Sequence, residues 1–183
     1  IAMSGQVCVA PDYAIVPRDQ VDAFAGHVKD VFNQFYPNGV VERPEYCSLA
    51  NDRHHERMKT LLEDARQKGA TILATADWDG GPKMPIHVVT DVTEDMLIAQ
   101  EEVFGPFLTS IRFKDEAEAL AIANDTEFGL VAYVYTRDLG RALRVSERLE
   151  VGMVGLNTGL VSNPAAPFGG VKHSGFGRDG AAQ

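Results

Sequence analysis

The chain is poor in cysteine: Cys8 and Cys47 are the two such residues among 183. Two cysteines do not make a disulfide framework in a chain of this length, so a reducing, cytoplasmic setting is expected and a thiol can be kept for its reactivity. Positive charge is also scarce. Lys and Arg number 17 against 26 Asp and Glu, a net charge of −9, which repels phosphate backbones and argues against nucleic acid as a partner. No apolar run approaches the roughly 20 residues needed to cross a bilayer, so no membrane partner is expected. The opening Ile1-Ala2-Met3-Ser4-Gly5-Gln6 has neither the basic nor the apolar region of a signal peptide. No metal-ligand spacing occurs. His54 and His55 are adjacent, and on a helix their side chains diverge by about 100°, so a solvated surface is expected for both rather than a shared metal. Cys47, near Pro44 and Tyr46, is expected to pack in a loop.

Hydrophobic residues make up 45% of the chain, enough for a core. Helices are expected over 19–36, where Val21, Phe24, Val28, Val31, Phe32 and Phe35 share one face, and over 51–68, with Asn51 as N-cap and Gly69 as the stop. Further helices are expected over 93–100, 116–124 and 139–149. Strands are expected over 13–16, 71–74, 86–89, 107–113, 131–135 and 153–156, and a glycine-rich loop over 158–180. Strands that alternate with helices predict an α/β fold, with a mostly parallel sheet and helices on both faces. With no repeat or linker in view, one domain over 1–183 is expected. Met3 is internal and the last residues are Gly180-Ala181-Ala182-Gln183, so both ends read as cut from a longer chain.

Gly175-Phe176-Gly177-Arg178-Asp179-Gly180 spells G-x-G-x-x-G. The dinucleotide fingerprint must follow a strand and open a helix, with an acidic residue about 20 positions later. Here a long loop precedes it, so a closely packed glycine-rich turn is expected instead. Cys8 stands in Ser4-Gly5-Gln6-Val7-Cys8-Val9-Ala10-Pro11, where small and polar residues lead into the thiol. A lone cysteine is more often inert and buried, and becomes a nucleophile where its surroundings favour the thiolate.

Three separated segments change that balance. They are Gly5-Gln6-Val7-Cys8; Glu101-Glu102-Val103-Phe104-Gly105-Pro106; and Asn157 followed by Pro167-Phe168-Gly169-Gly170-Val171-Lys172-His173-Ser174-Gly175-Phe176-Gly177-Arg178. In this order and spacing the chain resembles the catalytic domain of the aldehyde dehydrogenase superfamily over nearly its whole length. The resemblance implies NAD or NADP as cofactor, a small aldehyde as substrate and a homo-oligomer in the full-length parent. It makes Cys8 the nucleophile, which forms a thiohemiacetal and then a thioester, with its backbone N–H as one oxyanion donor. It gives Glu102 the nicotinamide ribose, Phe104 a place beside the nicotinamide ring and Phe168 a wall of the aldehyde pocket. Asn157 falls to the loop that positions the catalytic segment. Lys172, Ser174 and Arg178 are expected to hold the glycine-rich loop. The family's cofactor-binding domain, general-base glutamate and oxyanion asparagine are not assigned to any residue of this chain, which is expected to be inactive by itself. A non-enzymatic module that pairs with a full-length dehydrogenase is the alternative, and a thiol hydrolase using Cys8 alone is a third reading.

Two subgroups are mixed. Residues 5–17 and 43–54 resemble coniferyl-aldehyde and class 3 enzymes. Residues 112–117, 123–130, 138–141 and 152–163 resemble succinate-semialdehyde dehydrogenases, so the sequence reads as a mosaic with a crossover between about residues 95 and 113. Succinate-semialdehyde enzymes carry an arginine six residues before the nucleophile; here that position is Ala2. Ser162 resembles the other carboxylate contact, and one hydroxyl is a weak substitute for a bidentate guanidinium. Succinate semialdehyde is therefore expected to bind more weakly than an uncharged aldehyde. A lower Michaelis constant for the acid semialdehyde refutes this.

Overall fold

A computed structural model describes residues 2–180, with the side chain of Ala2 outside the description. The chain divides into two compact units, Ile1–Arg112 and Phe113–Gln183. The class is mixed α/β, as expected. Parallel ladders run in each unit, one antiparallel strand edges the larger sheet, and one short antiparallel pair lies in the second unit.

The first unit runs β1 (Tyr13–Pro17), α1 (Val21–Phe35), α2 (Asp52–Gln67), β2 (Thr71–Ala74), β3 (His87–Thr90), α3 (Leu97–Gln100) and β4 (Phe107–Phe113). The sheet order is β1-β4-β3-β2. β3 pairs parallel with β4, His87 opposite Phe107, and antiparallel with β2, Thr90 opposite Thr71. All four residues of β3 are buried, as an inner strand covered on both faces requires. Side chains alternate along it. Val89 joins Met58, Leu61, Leu62 and Ala65 of α2 in one core cluster. Ile86, on the opposite face, joins Phe32 of α1 with Val40 and Tyr46 in another. The two amphipathic helices thus cover opposite faces of one sheet. Asn51 caps α2, its Oδ1 accepting the His54 N–H at 2.9 Å.

Two expectations change. The helix expected over 93–100 shrinks to one turn. Met96 is extended, the Met96 N–H closes a turn onto the Thr93 carbonyl, and α3 begins where Asp64 Oδ2 accepts the Leu97 N–H at 2.8 Å. Residues 3–5 form a left-handed turn with φ of 50°, 54° and 77°. The loop expected over 158–180 contains a two-residue strand, too short to leave a periodic trace.

The second unit runs α4 (Glu116–Asn124), β5 (Phe128–Gly129), β6 (Val131–Val134), α5 (Leu139–Arg148), β7 (Met153–Leu156) and β8 (Val171–Lys172). β6 and β7 pair in parallel across α5, and β5 pairs antiparallel with β8. Asp115 caps α4 by accepting from the Glu118 N–H at 2.9 Å, while Glu118 reaches back to the Lys114 N–H at 2.6 Å. Among the described residues no helix is long and apolar enough to cross a membrane.

His87 is 6% exposed, its Nδ1 is 2.8 Å from the Pro85 carbonyl, and it packs edge-on against Trp78 and Phe107. Burial pulls its pKa below the usual 6.5, partly offset by the Pro85 carbonyl. The unfolded chain therefore takes up the proton first as pH falls. The stability contributed by neutral His87 is present above 6.5 and declines below it, with a slope of at most about 1.4 kcal/mol per pH unit. Thermal melts from pH 7.5 to 5 are expected to show that decline, and His87→Gln to flatten it. Equal slopes in both proteins contradict this account.

Candidate functional site

The segment that carries Cys8 is held from two sides, by the loop over 47–50 and by the loop over 101–106. Met3 and Ser4 sit in a left-handed conformation that costs a non-glycine residue about 1–2 kcal/mol, so neighbours must impose it. Ser4 is buried, and its Oγ donates to the Cys47 carbonyl at 2.6 Å. The Gln6 amide donates to the Met3 carbonyl at 3.0 Å and the Ser48 carbonyl at 3.1 Å, while its oxygen accepts the Ala50 N–H at 2.9 Å. The loop beneath is fixed by Tyr46, whose hydroxyl donates to the Met84 carbonyl at 2.7 Å and whose pKa burial pushes up to about 12. Past this clamp the chain turns through Val7–Ala10, where the Ala10 N–H meets the Val7 carbonyl at 2.9 Å. Cys8 lies inside that turn and is exposed. Its backbone N–H has no acceptor among the described residues.

The second side is the Glu101–Pro106 loop. A Cβ on Gly5 would lie 2.0 Å from the Gly105 carbonyl oxygen, so the two backbones are in direct contact. Gly105 has equally little room, since a Cβ there would lie 2.4 Å from Met58 Sδ. Val103 is fully buried and anchors the loop, its N–H donating to Asp12 Oδ1 at 2.9 Å. Arg57 donates to the Val103 and Glu102 carbonyls, both at 2.7 Å, and to Glu101 Oε2 at 2.9 Å. His54 Nε2 lies 2.9 Å from the Phe104 carbonyl. Phe104 is left-handed, with φ 52°, and its ring is 38% exposed. The Glu102 side chain is also exposed. An open groove of about 850 Å³ runs here, lined by Met3, Gln6, Arg53, His54, Arg57 and Phe104 among others.

This corrects the expectation for the paired histidines. His54 supports the loop, and His55 packs edge-on against Trp78 with ring centroids 5.6 Å apart and a side chain only 12% exposed. The helix they sit on is polar in composition, but the loop that covers this part of it comes from residues some fifty positions away. Periodicity carries no sign of that cover. Cys47 does lie in a loop, with its side chain exposed.

The other sequence-predicted site residues belong to the second unit. Asn157 is left-handed, with φ 52°, and its side-chain amide is fully engaged with Thr136: Oδ1 accepts the Thr136 N–H and Nδ2 donates to its carbonyl, both at 2.9 Å. It ties the end of β7 to the end of β6. Ser162 is exposed in the following loop. Phe168 is half-buried and paired with Asp179 by two backbone bonds of 2.8 and 2.7 Å. That pairing folds the Gly175–Gly180 stretch back on the chain, so the G-x-G-x-x-G string forms a turn. Arg178 donates to the Gly170 and Gly177 carbonyls, Ser174 Oγ accepts the Gly129 N–H, and Lys172 donates to the Asn124 and Thr126 carbonyls.

The sequence pattern of the aldehyde dehydrogenase family matches residues 1–183. The chain belongs to the aldehyde dehydrogenase family. It is 42% identical over 179 residues to glutarate-semialdehyde dehydrogenase of Pseudomonas putida, which covers 97% of this chain and 37% of that protein. It is 40% identical over 185 residues to succinate-semialdehyde dehydrogenase [NADP(+)] of Escherichia coli, covering 97% and 38%. The crystal structure of succinate-semialdehyde dehydrogenase from Burkholderia pseudomallei superposes with a TM-score of 0.86 at 41% identity, again over 97% of this chain and 38% of that one. The chain thus spans less than two fifths of the length of the curated relatives it matches.

For this aldehyde dehydrogenase family member, the contact of Gly5 with Gly105 gives a sharp test. Gly5→Ala must strain a φ of 77° and drive a methyl into a carbonyl, and is expected to destabilise the first unit by about 1–3 kcal/mol. Gly26→Ala, inside α1 with nothing within 4 Å of its added methyl, is the control and is expected to stabilise by about 0.5–1 kcal/mol. Chemical denaturation measures both, and similar effects from the two substitutions count against the contact.

Proposed function

We propose that this chain is the nucleophile-bearing part of an NAD(P)-dependent aldehyde dehydrogenase, one that oxidises a small aldehyde to a carboxylic acid through Cys8. The observation that carries the reading is the direct contact of Gly5, three residues before the exposed Cys8, with Gly105 of the loop that presents Glu102 and Phe104. Family membership adds to it. Identity of about 40% to dehydrogenases of glutarate and succinate semialdehyde makes a semialdehyde one candidate substrate.

As the Cys8 S–H proton passes to solvent, Sγ attacks the carbonyl carbon, the C–S bond forms, and the π electrons move to oxygen. That oxygen develops charge in the transition state, and the free Cys8 N–H is one donor suited to receive it. Such a donor is worth about 3–4 kcal/mol when preorganised. The thiohemiacetal is thus formed on a turn closed by the Ala10 N–H on the Val7 carbonyl. What the dinucleotide supplies when bound is acceptance of a hydride from the thiohemiacetal carbon, which leaves a thioester on Cys8. Water then cleaves the C–S bond, releasing the acid and restoring the thiol.

The residues present fit the nicotinamide riboside end of the cofactor. Glu102 offers an exposed carboxylate able to accept from two vicinal hydroxyls, and its own backbone carbonyl is already taken by Arg57. Phe104 offers an exposed ring from the same strained turn. Phe168 and Ser162 are assigned to the aldehyde, Phe168 as an apolar wall and Ser162 as a hydroxyl. Asn157, its amide spent on Thr136, holds the loop rather than the substrate. Neither a general base for the hydrolytic water nor a second oxyanion donor is assigned among the described residues. Assembly as a homo-oligomer belongs to the same proposal.

The purified 183-residue chain is expected to release about one equivalent of leaving group from a reactive aryl ester, without turnover. It should give no nicotinamide reduction with NAD or NADP and an aldehyde panel, and Cys8→Ala should abolish the ester burst. Turnover with ester that survives Cys8→Ala, or a burst that does, sinks the reading. Cysteine-dependent nicotinamide reduction keeps Cys8 but rejects the inactivity of this chain.

A further inference from the structure

We propose that Asp12 is a positioning residue that ties the Cys8 segment to the turn bearing Glu102 and Phe104 by accepting the Val103 N–H. The proposal rests on the reading of those two residues as cofactor contacts. Phe104 is left-handed, and such a conformation lasts only where the surroundings over-determine it. The carbonyls of residues 102, 103 and 104 are all held from α2, by Arg57 and His54. That fixes the turn to the helix but leaves it without a polar link to the nucleophile. Asp12 provides the link. It lies four residues beyond Cys8, its Oδ1 accepts from Val103 at 2.9 Å, and its own carbonyl lies 3.4 Å from the Thr109 N–H of β4. Val103 is fully buried, so its N–H cannot turn to water for another acceptor.

The charge at this position supports the assignment. Burial pushes the Asp12 carboxyl above its usual 3.8, the Val103 N–H opposes the shift, Glu102 adds to it and Arg57 opposes it. Tyr13 also feels the Asp12 charge: its phenol is raised by burial and then by Asp12. A carboxyl is thus retained in a place that disfavours its charge, at the point where it meets a buried N–H.

The test uses the 183-residue chain, ¹⁵N-labelled, with Asp12→Ala, Asp12→Asn and Glu102→Gln. The Val103 amide shift is expected to follow one titration with a midpoint above 3.8 and to be pH-independent in Asp12→Asn. Val103 amide exchange should rise about tenfold or more in Asp12→Ala and stay near wild type in Asp12→Asn, which keeps an acceptor. Affinity for nicotinamide mononucleotide should fall about tenfold in Asp12→Ala and be restored in Asp12→Asn. Unchanged Val103 exchange in Asp12→Ala overturns the proposal, and so does a loss in Asp12→Asn as large as in Asp12→Ala. If Asp12→Ala does not fold, the wild-type titration and Asp12→Asn decide the matter. If wild type does not bind the nucleotide and Glu102→Gln changes nothing, the cofactor reading fails, and Val103 exchange still decides whether Asp12 holds the turn.

Discussion

Gly5 and Gly105 touch backbone to backbone, and the rest of the candidate site is arranged around that contact. Neither position can hold a methyl: Gly5 faces a carbonyl oxygen and Gly105 faces the Met58 sulfur. Because the two strands of chain lie this close, short side chains suffice to fix them. Ser4, Gln6 and Asp12 each reach a backbone group on a neighbouring segment within one hydrogen bond. A wider gap would call for long, flexible side chains, which lose more rotamer entropy when they are ordered. The thiol at Cys8 inherits its fixed place from this packing.

The second unit uses the same device. A Cβ on Gly152 would lie 1.9 Å from the Gly169 carbonyl, and one on Gly129 2.5 Å from the Glu150 carbonyl. Around these close approaches, charged side chains bind backbone carbonyls rather than only each other. Lys172 serves the end of α4, and Arg178 the glycine turn. Surface ion pairs such as Arg66 with Glu63 contribute little by comparison, being exposed on both partners. In both units the polar groups that matter satisfy carbonyls and amides left over by irregular chain.

Much of this was legible beforehand. The long helices and strands emerged nearly residue for residue, because their apolar spacing and capping residues are local signals: Asn51 before α2, Gly69 after it, and the β-branched and aromatic residues of β6. The family was legible too, because three motifs in a fixed order are improbable by chance. The loop that supports Phe104 was not. His54 looked like a solvated histidine because the carbonyl it meets is fifty residues away, and no periodicity records such a partner. The acceptor role of Asp12 leaves no local trace either, since it depends on Val103, ninety-one residues on.

The sequence by itself determined the elements, the α/β class, the scarcity of thiols and the placing of Cys8, Glu102 and Phe104 in recognisable motifs. These follow from interactions spanning a few residues, or from the residues themselves. Only the tertiary structure decided that Met3, Ser4 and Phe104 stand in left-handed backbone, that Arg57 and His54 support a loop, and that Asp12 bridges two segments. Those features depend on what lies across a gap of a few ångströms after folding. That distance is set by the packing of α2 and the sheet, and not by any local run of residues.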